Sequence, residues 1–110
     1  MKILLVDDEV DILTILKRFL IHNGHDVITA LGPEEARLRA SAQQFDIMLT
    51  DVEMPGTKGP DLANELRARQ PSLRILFMSG SEPECPLPGP LVSKPCRLDD
   101  ILAALHAASL

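Results

Sequence analysis

The chain has 110 residues, of which 45% are hydrophobic and 25% charged, a composition typical of one folded domain with a single core. Its formal net charge of −5 argues against direct binding to nucleic acid, because sequence-independent binding relies on clustered lysine and arginine. No apolar run approaches the roughly 20 residues that span a bilayer, so we expect no membrane segment. We therefore expect a cytoplasmic protein with one domain over residues 1–110.

Short apolar runs alternate with longer segments in which apolar residues recur every three to four positions. The short runs predict five strands: Lys2–Val6, Asp26–Ala30, Asp46–Thr50, Arg74–Met78 and Leu91–Ser93. The longer segments predict four helices: Val10–His22, Pro33–Gln43, Gly59–Gln70 and Leu98–Ala108. This alternation indicates an α/β fold in which helices cover both faces of a mostly parallel sheet.

One connection departs from the alternation. The segment Ser81–Pro90 contains four of the nine prolines, so no helix can run through it. Extended polyproline backbone, at about 3.1 Å per residue, is long enough to join the fourth and fifth strands. We expect an extended crossover here in place of a helix.

Acidic residues follow two of the predicted strands. Asp7, Asp8 and Glu9 come after the first strand, and Asp51 comes after the third. Because the carboxyl ends of parallel strands form the ligand crevice of an open α/β sheet, these carboxylates are expected to converge. Crowded carboxylates repel one another unless a cation lies between them, and Mg²⁺ prefers carboxylate, water and phosphate oxygens. The pattern predicts a Mg²⁺ site.

Two further polar residues follow the remaining strands at the same edge. Ser79 follows the fourth strand and Lys94 the fifth, which adds a hydroxyl group and an ammonium group. This combination is suited to an acyl-phosphate site. In that interpretation Asp51 is the nucleophile, Lys94 neutralises charge beside the metal, and Ser79 donates a hydrogen bond to a phosphate oxygen.

The order of the motifs LLVDDE, LTDVEMPGTKG, FMSG and SKP resembles that of the response regulator receiver domain over essentially the whole chain. The resemblance implies a flavodoxin-like fold with strand order 2-1-3-4-5. It also implies that Asp51 is the phosphoacceptor and that Asp8 binds Mg²⁺ directly. Asp7 is then expected to act largely through water, and the backbone carbonyl of Glu53 to be a further ligand. A cis peptide before Pro95 is implied as well.

The sequence also departs from the family pattern. Leu91 stands where receiver domains usually carry an aromatic residue that rotates during switching, and the shortened segment after Ser79 lacks room for the fourth helix. In the family, the fourth helix commonly helps form the output and dimer surface. Output is therefore expected to use a different route.

The expected function is a signalling switch, not an enzyme, that receives its phosphoryl group from a histidine kinase or a phosphotransfer protein. The expected output is a downstream protein partner, with a homodimer as one alternative. Two other readings remain within the family: a receiver module cut from a hybrid histidine kinase, and a receiver-like scaffold that works without phosphorylation. A phosphatase of the haloacid dehalogenase type is disfavoured, because its aspartate motif follows the first strand whereas Asp51 follows the third.

Overall fold

The computed structural model describes residues 1–79, 87, 90–93 and 98–108, and these residues form one parallel sheet with helices on both faces. The strands are β1 (Lys2–Val6), β2 (Asp26–Ala30), β3 (Ile47–Asp51), β4 (Arg74–Ser79) and β5 (Leu91–Ser93). The helices within the described ranges are α1 (Val10–His22), α2 (Pro33–Ala42), α3 (Gly59–Arg69) and α4 (Leu98–Ala108). The sheet order is β2-β1-β3-β4-β5.

The predicted α/β alternation is confirmed, and so is the strand order through β4, beside which Leu91–Ser93 pairs in parallel. The predicted ends of β3 and β4 were one residue short. Asp51 pairs with Met78, and Ser79 pairs with Ser93, so both strands continue to the polar residue that follows their apolar run. Asp51 and Ser79 therefore lie on regular strand backbone.

The predicted crossover between β4 and β5 lies almost wholly outside the described residues. Within that connection only Leu87 and Pro90 are described. The Pro90 carbonyl accepts a hydrogen bond of 2.8 Å from the Phe77 amide, at the entrance to β5. The extended crossover and the absence of a fourth helix before β5 stay predictions.

Two hydrophobic layers cover the sheet, because side chains of a strand alternate between its faces. One layer joins the β1 residues Leu4 and Val6 to α2 and α3, and the other joins Ile3 and Leu5 to α1 and α4. Strands β1 and β3 are buried at nearly every position, as expected for a sheet covered on both faces. Among the described helices, none is long and apolar enough to cross a bilayer.

The sequence predicts a helix end at Asn23-Gly24 and a helix start at Pro33, and both agree with the observed helices. Gly24 has a φ of 87°, which glycine adopts without strain, and it follows the end of α1. Pro33 opens α2, where its fixed φ suits the first turn and its missing N–H is not needed. The ends of α2 and α3 fall one residue before the predicted ones.

Gln70 joins three parts of the chain in the buried layer beneath α2 and α3. Its side chain is 3% exposed, and its Oε1 accepts a hydrogen bond of 3.0 Å from the Phe45 amide. Its Nε2 donates to the carbonyls of Ala40 at 2.9 Å and Gln43 at 3.0 Å. The amide group therefore satisfies the backbone where α2 ends and the chain turns toward β3.

We predict that Gln70→Leu lowers the free energy of unfolding by about 2–4 kcal/mol, because it leaves a buried N–H and two carbonyl groups without their partner. Urea denaturation followed by circular dichroism measures this change. Gln44→Met, at an exposed neighbouring position, is the matched control and should have little effect. Equal stability of the Gln70→Leu variant and the wild type would contradict the assigned role of Gln70.

Candidate functional site

The carboxyl ends of β1, β3 and β4 form the edge of the sheet on which the predicted site lies. Val6, the last residue of β1, pairs with Thr50 of β3, so the residues that follow β1 run beside the end of β3. Asp51 in turn pairs with Met78 of β4. The polar residues at or just after the ends of these three adjacent parallel strands therefore lie at the same edge of the sheet.

The carboxylates of Asp7, Asp8 and Asp51 come together at this edge. One carboxylate oxygen from each residue lies within 4.8 Å of the other two. Asp7 is fully buried and Asp51 is 6% exposed, whereas Asp8 is exposed. The group therefore has two buried carboxylates and one that opens to solvent.

Backbone amide groups hold two of these carboxylates in place. The Glu9 amide donates to Asp7 Oδ1 at 3.0 Å, and the Glu53 amide donates to Asp51 Oδ1 at 3.1 Å. Each bond spans two residues, as in an Asx turn. The turns that leave β1 and β3 thus orient the carboxylates while the chain changes direction.

The other predicted site residues are only partly covered by the structure. Ser79 is 2% exposed and follows Met78, the strand partner of Asp51. Glu53 lies next to Asp51 through its backbone N–H, while its exposed side chain forms a 3.0 Å ion pair with Lys58. Lys94 and the predicted cis peptide before Pro95 lie outside the described residues.

The donor set fits Mg²⁺. Three carboxylates whose oxygens lie within 4.8 Å of one another supply hard, negatively charged ligands, and the exposed Asp8 leaves room for water on one side. Mg²⁺ is typically held by one or two carboxylates and several waters. A divalent cation would also relieve the repulsion between the buried Asp7 and Asp51.

Gly59 is a residue of this site whose role the sequence did not reveal. A Cβ on Gly59 would collide with the Asp51 carbonyl oxygen, and it would lie 3.1 Å from the Asp51 carbonyl carbon and the Val52 Cα. The Gly59 amide also donates to the Val52 carbonyl at 3.0 Å. The start of α3 therefore packs directly on the backbone of the phosphoacceptor candidate. The last glycine of the LTDVEMPGTKG motif was the sequence signal that could have indicated this close approach.

His25 lies at the opposite edge of the sheet, where β1 and β2 begin. Its Nδ1 is 3.1 Å from the amino group of Met1. Burial lowers the pKa of His25, and the positive charge of that amino group lowers it further. This histidine takes no part in the acidic group.

The chain belongs to the response regulator receiver domain family, whose sequence profile matches residues 3–86. Members of this family are the phosphoryl-accepting signalling domains of two-component systems, and they are not enzymes in the usual sense. The family likeness predicted from the motifs is thus confirmed.

Among its relatives is the alkaline phosphatase synthesis transcriptional regulatory protein PhoP of Bacillus subtilis (strain 168), which is 37% identical over 83 residues. The alignment covers 76% of this chain and 35% of PhoP, so the chain spans about a third of that relative.

Solved structures show the same fold. The receiver domain of the hybrid histidine kinase CckA superposes with a TM-score of 0.89 at 27% identity, covering 100% of both chains. The response regulator TrrA of Thermotoga maritima, solved with Mg²⁺ and BeF, gives a TM-score of 0.83 at 26% identity and 97% coverage of both chains. TrrA has also been solved in complex with the histidine kinase ThkA, with a TM-score of 0.84. The flavodoxin-like receiver fold is therefore confirmed.

We predict that Gly59→Ala lowers the free energy of unfolding by about 1–3 kcal/mol, because the added methyl group must displace backbone atoms in a close-packed region. The amide resonances of Asp51, Val52 and Glu53 should shift as well. Urea denaturation and ¹⁵N–¹H spectra measure the two effects. Gly32→Ala is the control, since a Cβ there meets no atom within 4 Å. Equal losses at the two positions would show that packing on Asp51 is not the cause.

Proposed function

We propose that this chain is a phosphorylation-controlled switch in which Asp51 accepts a phosphoryl group in a Mg²⁺-dependent reaction. The observation that carries the proposal is the grouping of Asp7, Asp8 and Asp51 at the carboxyl edge of a receiver fold. We assign the whole of residues 1–110 to this single domain, and we place it in the cytoplasm.

The chemistry assigned to Asp51 is nucleophilic attack on phosphorus. A bond forms between an Asp51 carboxylate oxygen and the phosphorus of a phosphohistidine, the P–N bond breaks, and the departing imidazole nitrogen takes a proton. The Glu53 N–H holds the carboxylate in a fixed orientation, so little reorientation precedes attack. Phosphoryl transfer depends mainly on such positioning and on neutralisation of charge.

The remaining residues stabilise the phosphoryl group and the cation. Asp8 would bind Mg²⁺ directly, Asp7 would act largely through water, and Asp51 and the Glu53 backbone carbonyl would complete the protein ligands. When bound, the ion neutralises charge on the transferring phosphoryl oxygens. The Ser79 hydroxyl would donate to one of those oxygens, and Lys94 would supply a positive charge.

The phosphoryl donor that we propose is a histidine kinase or a histidine phosphotransfer protein. The TrrA structures support this assignment, because that similar domain has been solved both with Mg²⁺ and BeF and with a histidine kinase. Output would pass to a downstream protein or to a second copy of the chain, not directly to nucleic acid. The proline-rich crossover after β4, in place of a fourth helix, is the route that we propose for output.

A second candidate within the same chemistry is the receiver module of a hybrid histidine kinase. Its support is the likeness to the CckA receiver, which matches this chain from end to end. The reading frame around the sequence distinguishes the two candidates, because a kinase core upstream would make this domain an internal acceptor. A third candidate, a scaffold that works without phosphorylation, is tested by the phosphorylation experiment below.

We predict that acetyl phosphate with Mg²⁺ adds one phosphoryl group to the wild type and none to Asp51→Asn, because the amide lacks the nucleophilic carboxylate. Intact-mass spectrometry measures the addition. Asp46→Asn is the matched control: Asp46 is exposed and precedes β3, so this variant should be labelled like the wild type. An unlabelled wild type, in conditions that label a known receiver domain, would favour the scaffold.

We predict that Mg²⁺ raises the melting temperature of the wild type. At ten times its dissociation constant a ligand stabilises the native state by about 1.4 kcal/mol, which corresponds to roughly 5 °C for a domain of this size. Asp8→Asn should lose most of this rise. Without Mg²⁺ the same variant should melt at or above the wild-type temperature, because it relieves carboxylate repulsion.

Differential scanning calorimetry with and without Mg²⁺ measures both effects. The control is Asp11→Asn, which removes an equal charge from an exposed position in the first turn of α1. A melting temperature that does not respond to millimolar Mg²⁺ would contradict the metal site. An equal loss of the response in both variants would show that net charge, and not coordination, is responsible.

A further inference from the structure

The loop between β3 and α3, residues 52–58, holds the backbone that faces the acidic group. Its amide at Glu53 positions Asp51, and its carbonyl at the same residue is a proposed Mg²⁺ ligand. The loop is anchored near its start by the buried side chain of Met54, which is 7% exposed. Gly56, with a φ of 82°, then turns the chain back toward α3. The Gly59 amide closes the loop on the Val52 carbonyl at 3.0 Å, and an anchor on the far side of Gly56 would also tie the loop to a neighbouring element.

Arg37 of α2 provides such an anchor. Its guanidinium Nη2 donates to Thr57 Oγ1 at 2.8 Å, and its Nε donates to Glu65 Oε2 of α3 at 2.6 Å. Arg37 precedes Thr57 by 20 positions and Glu65 by 28 positions in the sequence. One side chain thus connects two helices and the loop.

The geometry of this contact makes it a firm one. The guanidinium is planar and its donors are fixed relative to one another, so the bond to Glu65 also determines where Nη2 points. The Arg37 and Glu65 side chains are 31% and 39% exposed, so solvent screens part of their attraction and the hydrogen-bond geometry matters more than the charge. Charge-assisted bonds of this length are stronger than neutral ones. Because Glu65 fixes the Arg37 guanidinium, the hydrogen bond from that guanidinium also fixes the position of Thr57.

We infer that Arg37 is a positioning residue for the metal and phosphoacceptor site, acting through Thr57 and the loop 52–58. This inference rests on the proposed function. The two anchors at Met54 and Thr57 hold the loop on both sides of Gly56, so loss of one lets the Glu53 backbone move relative to Asp51. Mutation of residues that orient metal ligands commonly lowers metal affinity by about 10- to 100-fold.

The test is calorimetric titration of Mg²⁺ into five proteins: the wild type, Arg37→Met, Thr57→Val, Thr57→Ser and Arg39→Met. Arg37→Met and Thr57→Val should each raise the Mg²⁺ dissociation constant about tenfold. Thr57→Ser keeps the hydroxyl and should bind like the wild type. Arg39→Met is the matched control, because Arg39 lies on the same helix and is exposed. Its contacts are a 3.9 Å pair with Glu35 and a 3.3 Å hydrogen bond to the Thr29 carbonyl, and neither involves the loop 52–58.

The sign of the change separates positioning from simple electrostatics. Removing a positive charge makes the protein more negative, which by itself strengthens cation binding. Weaker binding by Arg37→Met, with unchanged or slightly stronger binding by Arg39→Met, therefore requires a geometric cause. The double variant Arg37→Met/Thr57→Val should bind no more weakly than either single variant, since both remove the same contact.

A second measurement does not depend on metal affinity. Amide hydrogen exchange of residues 52–58, without Mg²⁺, should be faster in Arg37→Met and Thr57→Val than in Arg39→Met and Thr57→Ser. If Arg37→Met and Thr57→Val both bind Mg²⁺ with wild-type affinity and show unchanged amide exchange, the inference is overturned and the proposed function stays intact. A wild type that binds no Mg²⁺ would instead overturn the proposed metal site.

Discussion

The mutual repulsion of three carboxylates is the constraint on which the site depends. Asp7 and Asp51 are buried, Asp8 lies beside them, and all three offer an oxygen within 4.8 Å of the others. Such a group separates if the backbone beneath it can yield. Here the backbone belongs to the ends of β1 and β3, strands whose residues are almost all buried. The buried strands thus hold the three carboxylates together against their mutual repulsion.

Hydrogen bonds from the backbone extend this rigidity beyond the ends of the strands. The Asp7 amide donates to the Ala30 carbonyl at 3.2 Å, so the chain stays next to β2 for one residue after β1 ends. The Val52 amide likewise donates to the Met78 carbonyl at 2.9 Å. Glu9 and Glu53 amides then orient the carboxylates themselves. The turns are consequently part of the sheet's hydrogen-bonding network, which restricts the movement of the three carboxylates.

The features that sequence could predict are those with a local signature. Apolar runs located the strands, prolines and Asn23-Gly24 located helix boundaries, and aspartates directly after β1 and within the end of β3 pointed to the site. The contacts that sequence could not predict join residues far apart in the chain. Gln70 satisfies backbone groups 25 to 30 positions away, yet as a sequence letter it is one more polar residue at the end of a helix. Arg37 is similar, because nothing local distinguishes it from Arg39.

Leu91 stands at the position where the family resemblance places an aromatic switch residue. The residue is half-buried, pairs with Phe77 and packs against the layer that contains Leu73 and Ile75. An apolar side chain needs no hydrogen-bond partner when buried, so packing alone favours its inward position. Movement of Ser79 toward a phosphate would then find no polar switch residue to release at Leu91. The loop 52–58 is hydrogen-bonded to Asp51 through Glu53 and to α2 through Thr57, so it connects the phosphoacceptor candidate to the α2 and α3 side of the sheet.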